Sequence, residues 1–177
     1  AGSAVNMTPG GEIYLRGNWT NNRGTAGFTS GVGRITMEGS VLQSIWSNGL
    51  LESFYDLRID NSSGTNNGVT VLSDAFVSHT LTLKNGNLNT FSFPPAGGPP
   101  ATWPAAKEMT IGPAGTAVAG PPGVQSFVTG RLAKQFNTAG AATEFEYPIG
   151  KVGALRPYRP ASVVPTTTDG TTTFYAE

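Results

Sequence analysis

The chain has 177 residues, 11 basic against 11 acidic and only 12% charged, so it offers no basic field for phosphate or an anionic membrane surface; this argues against a nucleic-acid partner. The absence of cysteine removes thiol catalysis, disulfides and thiolate metal sites together. With 24 glycines and 13 prolines the composition disfavours helix, and no run approaches the roughly 20 apolar residues of a membrane helix.

In chain order, residues 1–10 read as either the tail of an earlier coil or a loose end. Gly11 to Trp19 reads as a strand, TNNRGT as a turn, and Gly33 to Gly39 as the next strand. Ile45 with Trp46, and Val69 with Val71, are short apolar pieces suited to other sides of a coil. Tyr55, Leu57 and Ile59 alternate with Asp56, Arg58 and Asp60, the period of two that puts one face in a core and the other in water. NSSGTNNG turns the chain, Leu81 and Leu83 resume the pattern, and Asn85, Gly86 and Asn87 turn it again. The prolines of FSFPPAGGPPATWPAA, residues 91–106, cannot donate to a sheet ladder, so this segment reads as a loop bulging from the coil. Met109 and Ile111 follow. After GPAGTAVAGPPG come Phe127–Phe136, Glu144–Ile149, Arg159–Val164 and Thr171–Tyr175, longer strands whose turns suggest antiparallel sheet.

The pairs Ile13/Leu15, Ile35/Met37, Leu57/Ile59, Leu81/Leu83 and Met109/Ile111 start 22, 22, 24 and 28 residues apart. Recurrence at that interval is the signature of a solenoid, whose laps bury their apolar faces only by stacking. The fold expected is all-β: a right-handed β-solenoid over 1–123, with Leu15, Met37, Ile59, Leu83 and Ile111 in one interior column. A β-sandwich-like antiparallel module would follow over 124–177, continuing beyond the chain end.

Chemistry-bearing residues are few. His79 is the only histidine, and zinc or triad chemistry needs partners that one histidine without cysteine does not supply. DNSSG is too thin for calcium's six to eight oxygens, so no metal or cofactor is expected. Asp56 with Asp60, and Glu144 with Glu146, are carboxylate pairs of the sort glycoside chemistry uses, but alternating acids on a strand are also what a solvated face looks like. Trp19, Trp46, Trp103, Tyr14, Tyr55 and Tyr158 could stack on sugars or fill the core. Trp103, in the proline-rich segment, is the binding candidate among them. Arg131, Arg156 and Arg159 could hold an anionic glycan or pair with Glu144 and Glu146 across strands.

The segments GNWTNN, YDLRIDNSSG, VTVLSDAFVSHTLTLKNGNLNT, SFVTGRLAKQF, EYPIGK and YRP, in this order, resemble the repeat regions of large type IX-secreted adhesin-like surface proteins of the Bacteroidetes. The likeness spans about residues 11–165, and VTGRLAK with YPIGK and YRP is its more specific part. The resemblance implies a secreted or cell-surface location and a shaft or adhesive role, and carries no catalytic residues with it. The expected function is thus a non-enzymatic extracellular module, a stiff shaft or fibre segment that stacks end to end on neighbouring modules or identical subunits. A glycan-binding adhesin module and a β-helix polysaccharide-degrading enzyme are the alternatives. The chain also reads as a processed protein or an internal piece of a longer one.

Overall fold

A computed structural model describes residues 4–63, 68–90, 107–120, 126–137, 144–151, 158–165 and 172–176. The chain is a β-solenoid of about five turns. The strands Glu12–Leu15, Arg34–Met37, Glu52–Asp60, Ala75–Asn85, Met109–Ile111 and Leu132–Phe136 stack in parallel as one long sheet. A second parallel sheet is built from Trp19–Thr20, Gln43–Trp46, Gly68–Val71, Asn87–Asn89 and Val128–Thr129. Val5–Asn6 and Phe28–Thr29 form a short parallel pair of their own. Each lap therefore contributes one rung to each wall, and neighbouring laps supply the hydrogen bonds that a single lap lacks.

The alternation seen in the sequence sets the interior. Register partners run Ile13, Ile35, Leu57, Leu81, and beside them Leu15, Met37, Ile59, Leu83. From Ile35 and Met37 upward these side chains are fully buried. The facing wall adds Ile45, Val71, Val69, Leu88 and Val128, and one core cluster runs from Met7 to Ile149. The pairing of Glu52–Asp60 with Ala75–Asn85 shifts register between Phe54 and Asp56 and again between Ile59 and Asp60, which lets these long strands bend around the coil.

Ile111 departs from the expected column. It pairs with Val77, and Met109 with Ala75, while Ala117 takes the place above Leu81. The lap delayed by residues 91–106 meets the earlier half of Ala75–Asn85 first. It then turns through Gly112–Gly115, where the Gly115 amide donates to the Gly112 carbonyl at 2.9 Å, and returns over Thr80–Thr82 as Thr116–Val118.

The parallel ladder also continues past residue 124. Val128–Thr129 stands over Leu88–Asn89, and Leu132–Phe136 over Met109–Ile111. Between them Gly130 adopts φ 99°, a left-handed turn that moves the chain from one wall to the next. Thus FVTGRLAKQF is a further lap and not one antiparallel strand. Antiparallel pairing enters after it, with Phe145–Tyr147 against Ala161–Val163 and Thr172–Ala176 against Leu132–Phe136. The last strand forms the upper edge of the long sheet.

Candidate functional site

The outward face of the long sheet carries two rows of paired charges. Because parallel strands in register bring the same position of each lap side by side, Glu12, Arg34 and Asp56 line up. Arg34 lies 3.9 Å from Glu12 and 3.6 Å from Asp56, and His79 Nδ1 lies 2.7 Å from the other oxygen of Asp56, its ring stacked 4.6 Å from Tyr55. A second row holds Arg16 3.3 Å from Glu38, and Asp60 between Arg58 at 3.2 Å and Lys84 at 2.8 Å. Glu12 is held below the usual glutamate range, chiefly by the Thr36 hydroxyl that donates to it at 2.6 Å, with the Tyr14 hydroxyl and Arg34 acting in the same direction against a smaller desolvation effect. Every acid in these rows sits beside a base, so the charges of the two rows balance locally.

A groove of about 390 Å³ opens where this face turns, lined by Arg16, Glu38, Gly39, Ser40, Val41, Asp60 and Ser62. Its surface is about equally polar and apolar, and the carboxylates in it belong to the rows above. Among the described residues no group of three histidine, aspartate or glutamate side chains could hold a metal ion.

Inside, three buried polar side chains make hydrogen bonds that tie laps together, while Asn89 Oδ1, Ser126 Oγ and Thr129 Oγ1 are buried without a partner. Asn61, fully buried, donates to the Val41 carbonyl at 2.8 Å and to Gln43 Oε1 at 2.9 Å, and Gln43 donates to the carbonyls of Leu15 and Gly17. Glu52 is buried too, accepting from Trp19 Nε1 and Asn21 Nδ2, each at 2.9 Å. Lys134 is the third case. Its ammonium donates to the carbonyls of Gly112 at 2.5 Å, Pro113 at 2.9 Å and Gly115 at 2.8 Å, and lies 5.2 and 5.5 Å from the rings of Phe145 and Phe136. Burial pulls its pKa down to about 8.

Of the binding candidates picked out from the sequence, the structure describes Arg131 and Arg159. Trp103 and Arg156 lie outside the described residues. Arg131 is half-buried with its guanidinium 5.7 Å from the centre of the Tyr175 ring. Arg159 is exposed, and its backbone amide donates to the Ile149 carbonyl at 2.9 Å. Glu146 accepts from the Tyr158 hydroxyl at 2.6 Å, and burial followed by this bond pushes that phenol up to about 12. Trp19 joins Phe28 and Phe54 in an edge-on interior cluster at 4.7 and 5.5 Å, whereas Trp46 and Tyr14 face outward. Lys134 and Glu52 escaped the sequence reading because each sits in an alternating stretch where a charge normally faces water. The one available signal for Lys134 was its place in step with Ile111, two residues after Leu132 in step with Met109.

No protein-family model, curated protein or solved structure matches the chain.

Proposed function

We propose that the chain is a non-enzymatic structural module of a secreted or surface protein, a stiff length of shaft whose work is mechanical. The observation that carries this reading is the unbroken interior row of register partners from Ile13 to Leu81 beneath an outer face whose charges pair among themselves. Such a body resists bending because each lap is bonded along its whole length to the next. The resemblance to type IX-secreted adhesin repeats supports the extracellular location, and a solenoid stabilised by repeated burial does not depend on disulfides outside the cell.

The test is mechanical. Pulled between marker domains in a single-molecule force experiment, the chain is expected to lengthen in steps of about one lap. Extension at negligible force, or turnover of a neutral or acidic polysaccharide that Asp56→Asn abolishes, would overturn the reading.

A further inference from the structure

The carbonyls of the Gly112–Gly115 turn converge on one nitrogen. Lys134 pairs with Ile111 one lap down and shares the inward row of its strand with Leu132 and Phe136, all three of them buried. Its ammonium donates to Gly112, Pro113 and Gly115. Because an ammonium carries three N–H donors and no acceptor, each donor meets the carbonyl of a different residue. The rings of Phe145 and Phe136, 5.2 and 5.5 Å away, stand within the roughly 6 Å over which a ring face attracts a cation. Among the described residues no carboxylate pairs with this charge.

The turn takes its shape from the lap below it as well as from the lysine. The Gly112 amide donates to the Val77 carbonyl at 2.8 Å, and the Gly115 amide closes back on the Gly112 carbonyl at 2.9 Å. A Cβ on Gly115 would lie 2.8 Å from Ile111 Cγ2 and 3.2 Å from the carbonyl oxygens of Gly112 and His79, so the corner is closed to a side chain. Pro113 brings an acceptor and no N–H. Dipoles fixed in this way lose little freedom when a cation meets them. Three oxygens suit a primary ammonium, whereas a hard divalent ion takes six or more.

We propose that this turn, with the rings of Phe136 and Phe145, is a binding site for a primary ammonium group, filled from within by Lys134, and that it rejects quaternary ammonium. Each methyl added to the nitrogen removes one N–H and leaves one buried carbonyl without a donor. The site joins three parts of the chain at one charge: the turn of one lap, the last parallel rung, and Phe145 of the antiparallel pair that follows. A chain that lacks the lysine takes the same group from solution.

Lys134→Ala deletes the outline of an n-propylammonium ion, which makes that ion the probe. Added well above its dissociation constant to the full chain, it is expected to raise the thermal midpoint of Lys134→Ala by about 2–4 °C and to leave the parent unmoved. Propyltrimethylammonium, n-propanol and potassium chloride at the same ionic strength should give no such rise. An equal rise from any of these three, or none from n-propylammonium, overturns the site. Should Lys134→Ala fail to fold, the intact chain decides. Its nitrogen-15-labelled Lys134 ammonium is expected to hold its hydrogens at mildly acidic pH far longer than that of Lys84, whose side chain is 52% exposed. Exchange as fast as at Lys84 overturns the site equally.

Discussion

The indole nitrogen of Trp19 donates at 2.9 Å to Glu52 Oε2, a carboxylate oxygen that also accepts from Asn21. This bond joins two laps inside a wall of aromatic rings, where an unmatched polar group costs far more than it does in water. Glu52→Leu would leave the Trp19 indole without its acceptor and the Asn21 amide with only the Gly24 carbonyl, and is expected to cost about 2–4 kcal/mol. Glu52→Gln keeps an acceptor oxygen and should cost less. Urea denaturation followed by tryptophan fluorescence measures both, and equal losses would show that charge, and not the acceptor, holds the site.

The interior rows predict a gradient. Leu57 lies mid-column with Ile35 below and Leu81 above, fully buried, so Leu57→Ala should cost about 2–5 kcal/mol. Ile13 begins the same column half-buried, and Ile13→Ala should cost clearly less. Equal losses in thermal unfolding would mean that the lower end is as well covered as the middle.

Much of this was legible because a solenoid writes its geometry into its period. Leu15, Met37, Ile59 and Leu83 recur at nearly constant spacing, and constant spacing in sequence becomes vertical stacking in space. Ile111 was misplaced for a physical reason: spacing counts residues, not path. A delayed lap can meet an earlier part of the strand beneath it, as Met109–Ile111 meets Ala75–Val77. The continuation past residue 124 was hidden likewise, since parallel and antiparallel rungs alternate in the same way and only their partners tell them apart. The buried roles of Glu52 and Lys134 depend on which lap lies next to them, and pattern alone does not carry that.

Tight glycine positions give a third prediction. A Cβ on Gly68 would lie 2.1 Å from the Asn87 carbonyl oxygen on the next rung, and Gly86 holds φ 79° with its Cβ position 2.4 Å from the Asn61 oxygen. Backbone atoms meet at both sites, so no side chain can yield. Gly68→Ala and Gly86→Ala are each expected to cost roughly 2 kcal/mol or more, the second adding left-handed strain to the clash. Stability within a few tenths of the parent would mean that the laps can part at these corners.

Acid should loosen the lower end. Glu12 is depressed below the ordinary glutamate value, so its contribution is present in full above that value and is lost as pH falls through the lower, folded one. Thr36→Val removes the largest cause of the shift, and the Glu12 carboxyl, followed by NMR, should then titrate closer to its ordinary pH. An unmoved titration would assign the shift to the Tyr14 hydroxyl and Arg34 instead.

Lys134 makes the sharpest case, because burial and coordination oppose each other there. Three carbonyls and two ring faces favour the ammonium, while loss of hydration favours the neutral amine, and burial dominates, bringing the group to about 8 from its ordinary 10.5. At neutral pH the side chain is still charged and ties the Gly112–Gly115 turn to the last parallel rung. Lys134→Met should therefore cost about 2–4 kcal/mol by leaving buried carbonyls without a donor. The pH dependence has a definite sign. Between pH 8 and 10.5 the unfolded chain keeps a proton that the folded side chain has released, so the stability of the parent rises across that window and this rise is absent from Lys134→Met. Taking the difference between the two proteins cancels the phenols of Tyr147 and Tyr158, both pushed up to about 12. A difference that shrinks as pH rises would mean that the carbonyls outweigh the lost hydration and lift the lysine above its ordinary value.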